Sequence, residues 1–180
     1  ESNLVYPDTS LLNLACVARF EFYAKGQDVL LEVLSQKKWK ERNLFVNFYG
    51  SGRDEVGLKK LINYFELKNV EIRGFVPTVQ IWERNHALIL PSRFEGLPLA
   101  LVEAMLCARF GIVTNVSGNK VVISDFMNWF LAEAPQPEYL DAAMERAWSK
   151  KSEWKLIGLE AKKHIQKLVS SDPAHDFYLE

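Results

Sequence analysis

Apolar positions along the chain follow two alternating rhythms. Short unbroken apolar runs alternate with longer stretches in which apolar residues recur every three or four positions. The runs read as buried strands: Asn13 to Arg19 (NLACVAR), Asn43 to Tyr49 (NLFVNFY), Val70 to Arg73, His86 to Leu90 (HALIL), Gly111 to Asn115 and Trp129 to Ala132. The periodic stretches read as helices: Lys25 to Gln36, Arg53 to Glu66, Thr78 to Arg84 and Pro98 to Ala108. Pro98 opens the last of these, in the first turn, where a missing N–H is no loss. From about Pro137 the strands stop, and Pro137 to Lys150 and Glu153 to Val169 read as two amphipathic helices.

Short, continuously apolar strands alternating with helices are the pattern of a parallel sheet covered on both faces. The expectation is an α/β fold: a Rossmann-like doubly wound parallel sheet of about six strands, helices on both faces, and a helical C-terminal tail. No internal repeat, low-complexity stretch or Gly/Ser linker divides the chain. Residues 11–180 are expected to form one domain, with 1–10 as a linker remnant.

Composition narrows the function. The chain has 180 residues, 48% of them apolar, and a formal net charge of −1. That balance argues against nucleic acid as a partner, which calls for a basic excess. No apolar run reaches the ~18–20 residues of a membrane span. Cys16 and Cys107 lie far apart in apolar runs and read as buried, inert thiols in a reducing, cytoplasmic setting. His86, His164 and His175 are isolated, so no metal site is expected. The basic stretch Lys37 to Arg42 reads as the exposed end of a helix rather than a polyanion-binding patch.

In such a sheet ligands bind outside the carboxyl ends of the strands, so the loops after each strand carry the chemistry. Glu95 and Glu103 lie in PSRFEGLPLALVEAM. Glu103 stands in a helix apolar on nearly every side, where a buried carboxylate calls for a polar partner or ligand. It is expected to face the same crevice as Glu95. Arg19, with Lys25 and Gly26 opening the first helix, makes an anion pocket beside a helix N-terminus. Gly50-Ser51-Gly52 follows a strand and permits close approach of backbone to ligand. It is neither a phosphate-binding Gly-Lys-Ser/Thr loop nor a full G-x-G-x-x-G fingerprint, since Glu55 stands at the third glycine. Ser117-Gly118-Asn119 is a further turn that reads equally as an anion site or a plain turn.

The succession VARFEFYAKGQDVLLEVL, NFYGSGRDEVGLKKLI, VEIRGFV, ALILPSRFEGLPLALVEAMLCA and GIVTNVSGN resembles the C-terminal domain of family-4 retaining glycosyltransferases, over roughly Leu11 to Ser124. These enzymes have the two-domain GT-B architecture, and the E-x7-E spacing is the most specific part of the match. The resemblance implies that Arg19 and Lys25 meet the diphosphate of a UDP- or GDP-linked sugar. It places Glu103 on the ribose hydroxyls and Glu95 near the donor sugar. It places Phe94, Gly96, Leu97 and Pro98 in the loop around sugar and phosphates, Gly74, Phe75 and Val76 beside the base, and Gly50 and Gly52 in the glycine turn after the second strand. Glu95, Arg19 and Lys25 would then be the catalytic set.

It also implies transfer with retention, no cofactor and no obligatory metal. The acceptor, a glycan or lipid-linked molecule, would bind an N-terminal domain not present in this chain. Membrane association, peripheral at the inner face, would belong to the full-length protein, and the family's common uses point to polysaccharide or lipopolysaccharide assembly. One departure is visible: after Asn119 the family has an acidic residue and a glycine-rich stretch, where this chain has Lys120, Val121 and then Met127-Asn128-Trp129. The rival readings are a GT-B nucleotide-sugar epimerase or phosphorylase relative, a noncatalytic nucleotide-binding or scaffold domain, and a dehydrogenase. Unchanged nucleotide binding in Glu103→Ala would favour the noncatalytic domain, and binding of NAD would favour the dehydrogenase.

Overall fold

A computed structural model describes residues 4–96, 98–116, 118, 119, 122 and 130–168. The chain runs β1 (Leu12–Val17), α1 (Phe22–Lys25), α2 (Gln27–Ser35), α3 (Lys37–Glu41), β2 (Leu44–Tyr49), α4 (Glu55–Tyr64), β3 (Val70–Gly74), α5 (Thr78–Arg84), β4 (Ala87–Leu90), α6 (Leu99–Leu106) and β5 (Phe110–Thr114). Then come β6 (Leu131–Ala132), α7 (Pro137–Ser149), a 3-10 turn (Lys151–Glu153) and α8 (Trp154–Leu168). The six strands form one sheet in the order β3-β2-β1-β4-β5-β6, and every neighbouring pair is parallel.

The sequence reading of the elements holds to within a few residues, except that Lys37 to Arg42, read as the exposed end of a helix, contains a separate helix, α3, whose Trp39 is buried and whose flanking Lys38 and Arg42 pair with Asp141 and Glu145. It ran Lys25 to Gln36 together as one helix, whereas the chain breaks at Gly26 into α1 and α2. Gly26 takes φ +63, a conformation an L side chain rarely adopts. Trp129, the expected start of the last strand, and Val169, the expected end of the last helix, lie outside the described residues.

The strands are apolar on both faces because both are covered. All four residues of β4 and all five of β5 are buried. Parallel crossovers are right-handed as a rule, which with this strand order places α2 and α4 on one face and α6 on the other. α2 packs on α4 and α7, and α6 packs on α8. Leu30, Val33 and Leu34 from α2, Leu101 and Met105 from α6, and Trp154 and Ile157 from α8 enter the core. The strand order reverses between β1 and β4, whose recorded pairing stops at Ala15 and Leu88. The carboxyl ends of these strands therefore flank the crevice where such sheets bind ligands.

At the opposite end of the sheet, Leu4 to Asp8 is strapped under the strands. The Arg109 guanidinium is fully buried and donates to the carbonyl oxygens of Val5, Trp82, Asn85 and Cys107 at 2.6–3.2 Å. It also lies 4.9 Å from the Tyr6 ring centre. Buried His86 accepts the Asn13 N–H on Nδ1 at 2.9 Å and donates from Nε2 to the Asp8 carbonyl at 3.0 Å. That arrangement needs the neutral ring, and burial holds the His86 pKa below its ordinary value. Cys16 is buried, and burial pushes its thiol up to about 12. Cys107 is only half-buried, contrary to expectation, because it follows α6 at a helix end rather than inside the core.

Candidate functional site

A cleft of 440 Å³ opens at the carboxyl ends of β1, β2 and β3. Arg19, Gly50, Gly74, Phe75, Val76 and Glu103 line it. Its floor follows from the glycines. Gly50 adopts φ +131, and a Cβ there would meet the Ala18 carbonyl oxygen at 2.3 Å. A Cβ on Gly52 would meet the Phe20 carbonyl oxygen, also at 2.3 Å. Glycine at both positions lets the loop after β2 close onto the loop after β1. Phe20 N–H donates to the Ser51 carbonyl, and Asp54 N–H to the Phe20 carbonyl, sealing that seam. The Asp54 carboxylate also accepts the Phe22 N–H at 2.7 Å and fixes the start of α1. Phe75, 85% exposed, stands on the wall after β3.

Glu103 reaches this cleft from α6, but it is exposed rather than buried. The buried-carboxylate expectation is therefore corrected. Although α6 is almost wholly apolar, it turns Leu99, Glu103 and Leu106, at i, i+4 and i+7, toward the outside. Among the described residues the Glu103 carboxylate has no hydrogen bond or ion pair. Two oxygens presented to the cleft suit neighbouring hydroxyl donors.

The other predicted residues form a second group. Glu95 is 7% exposed, and both of its oxygens are engaged. Oε2 accepts from Lys25 Nζ at 2.9 Å and Oε1 from Ser92 Oγ at 2.7 Å. Arg19 and Lys25 thus do not act as a joined pair: Lys25 neutralises Glu95, while Arg19 turns to Glu21 at 3.1 Å. Glu95 also does not line the cleft that holds Glu103. Phe94 is exposed and stacks on Tyr23, with ring centres 5.6 Å apart. Gly96 lies in open space, with its carbonyl oxygen against Gly118, and buried Pro98 immediately precedes α6. Leu97, Ser117 and the departing stretch at Lys120, Val121 and Met127 to Trp129 lie outside the described residues.

Four side chains that sequence reasoning passed over build this region. Arg93 grips Asp28 with two bonds of 2.8 Å and donates to the Phe22 carbonyl at 2.6 Å. The Asp28 carboxylate holds the Arg93 pKa above its ordinary value. This clamp pins the loop after β4 to the start of α2. Glu21 bridges Arg19 and Arg53, the latter at 2.9 Å. The one available signal was position: Asp28 in a first helical turn, and Glu21 and Arg53 in loops after strands.

A larger cavity of 720 Å³ lies at the amino ends of β1 and β2, lined among others by Leu11, Arg42 and Leu44. It is at the wrong end of the sheet for the ligand of such a fold. Arg42 there is already bound to Glu145 at 2.9 Å. Among the described residues no group of three or more His, Cys, Asp or Glu side chains is placed to hold a metal. No helix among them is long and apolar enough to cross a membrane.

Comparison with known proteins agrees with this architecture. A phosphatidylinositol N-acetylglucosaminyltransferase component from Arabidopsis thaliana is 30% identical over 149 residues, which are 81% of this chain and 33% of the relative. The chain thus spans about a third of that relative's length. S. aureus TarM, solved as a mutant with fondaparinux, alpha-GlcNAc-glycerol and UDP, superposes with a TM-score of 0.79 at 20% identity, covering 98% of this chain and 37% of TarM. Anabaena HepE, solved with UDP and glucose, gives 0.77 at 19% identity over 88% of this chain and 44% of HepE. At that identity the two structures speak for the fold. Residues 9–164 match the family described as glycosyl transferases group 1, and the chain belongs to that family.

Proposed function

We propose that this chain is the donor-binding half of a retaining glycosyltransferase of GT-B architecture, and that it holds a UDP-linked sugar. The observation that carries the reading is the cleft with a guanidinium, Arg19, and an unengaged carboxylate, Glu103, on its walls. Glu103 accepts the two ribose hydroxyls. Phe75 offers a face to the base. Arg19 meets the diphosphate, and Glu95 with Lys25 stands toward the sugar. UDP is favoured over GDP because TarM and HepE were both solved with UDP.

The chemistry assigned to the chain is electrostatic. As the sugar leaves, charge grows on the diphosphate, and fixed cations stabilise it more in the transition state than in the ground state. Lys25 spends one of its three ammonium donors on Glu95, so it can reach the diphosphate while holding that carboxylate. No cofactor or obligatory metal enters this reading. The acceptor, a glycan or lipid-linked molecule, binds the rest of the full-length enzyme, so the isolated chain transfers nothing.

The test is a ligand-observed NMR titration of the chain with UDP, uridine, GDP, ADP and NAD. A half-cleft should bind UDP with a Kd on the order of 0.1–10 mM. Glu103→Ala should weaken UDP and uridine alike by about tenfold. Equal binding in the variant removes Glu103 from the site, and preference for NAD over UDP overturns the reading.

A further inference from the structure

The loops after β1 and β2 bring together three charged groups that the donor reading uses only in part. Glu21 Oε2 holds Arg19 Nη2 at 3.1 Å, and Glu21 Oε1 holds Arg53 Nη2 at 2.9 Å. The guanidiniums are 71% and 67% exposed, while the carboxylate between them is 18% exposed. The backbone fixes this spacing. Arg53 follows Gly52, which sits against the Phe20 backbone, and the seam bonds from Phe20 and Asp54 flank both arginines. Two exposed guanidiniums one carboxylate apart match the geometry of a bridging phosphate, whose oxygens accept from both. The group holds two cations and one anion. Lys25 with Glu95 and Arg93 with Asp28 are each already neutral.

We infer that Arg53 is a second phosphate-binding cation of the donor site, and that Glu21 is an internal counter-ion occupying the phosphate position in the free protein. The incoming diphosphate displaces the Glu21 carboxylate and inherits both arginines. Ion pairs exposed to this degree are weak and exchange readily, so displacement is easy. The carboxylate in the meantime keeps two like charges from repelling each other. The ligand class is a nucleoside diphosphate, and the recognised part is its phosphates, not its base. The inference rests on the donor reading and adds to it Glu21 and Arg53, to which that reading gives no role.

The chain, Glu21→Gln and Arg53→Ala are each titrated with UDP, uridine and pyrophosphate at low ionic strength, where charge contacts are least screened. Glu21→Gln should bind UDP and pyrophosphate about 3–10-fold more tightly, and Arg53→Ala about 3–10-fold more weakly. Uridine, lacking phosphate, should bind all three proteins equally. If UDP binding is unchanged in both variants, the inference is overturned while the donor reading stands. If uridine shifts as much as UDP, the variants disturb the seam rather than a phosphate contact, and the inference is again overturned. If the unaltered chain binds neither uridine nor UDP at 10 mM or so, well above the expected range, the donor reading fails and takes the inference with it.

Discussion

At Gly52 the chain leaves no space for a side chain, whereas a Cβ on Gly96, in the loop after β4, would meet nothing within 4 Å. The two glycines look alike in sequence, yet their substitution should differ. Gly52→Ala forces the loops after β1 and β2 apart, and overpacking of this kind costs about 1–3 kcal/mol. Urea unfolding should show it as a lower midpoint at unchanged slope. Gly96→Ala should stay within about 0.5 kcal/mol of the unaltered chain. Only three-dimensional proximity separates the cases: Phe20, which Gly52 meets, lies 32 positions away. Glu103 shows the same limit. Its place in an apolar helix suggested burial, because the outward stripe of α6 is itself mostly leucine. Composition located the carboxylate on the right helix but not on the right face.

At the scale of elements, the strap from Leu4 to Asp8 has its own energetics. Truncating Arg109 to Ala would leave four carbonyls, in the strap, at the end of α5 and after α6, without a donor, a loss of about 3 kcal/mol. The strap is also sensitive to acid. His86 in the folded protein titrates below its ordinary value of 6.5, so the unfolded chain takes up a proton first. Stability is therefore full above about pH 6.5 and falls as pH drops through and below that value toward the folded-state pKa. Unfolding measured at pH 7.5 and pH 5 should show this loss, and His86→Gln should show a smaller difference between the two. In the sequence, His86 read only as the start of a buried strand, and Arg109 attracted no notice. A buried arginine satisfied by carbonyls has no nearby acid to announce it. Strand and helix rhythms, by contrast, are local properties, which is why β2, β4, α5 and α7 were legible almost to the residue.

For the molecule as a whole, the alternation of strands and helices implied the doubly wound sheet, and the observed order of strands supplied the crevice. The order itself was not readable from local pattern, since it depends on which faces the crossover helices cover. Binding of the donor nucleotide should register globally. At UDP tenfold above its Kd, linkage adds about 1.4 kcal/mol of stability. For a domain of this size that is a rise in Tm of about 3–5 °C. Differential scanning calorimetry checks it, and an unchanged Tm under saturating UDP contradicts the donor reading.

The same strand order governs how the chain assembles. β1 is synthesised before either of its neighbours, yet it ends in the middle of the sheet. One edge of it waits for residues 44–49, and the other remains open until residues 87–90 have emerged. Such long-range parallel pairing slows folding, because loop closure precedes the contacts that reward it. A nascent chain therefore carries an apolar strand with a bare edge from the completion of β1 until β4 emerges, and that interval is when it most needs a chaperone.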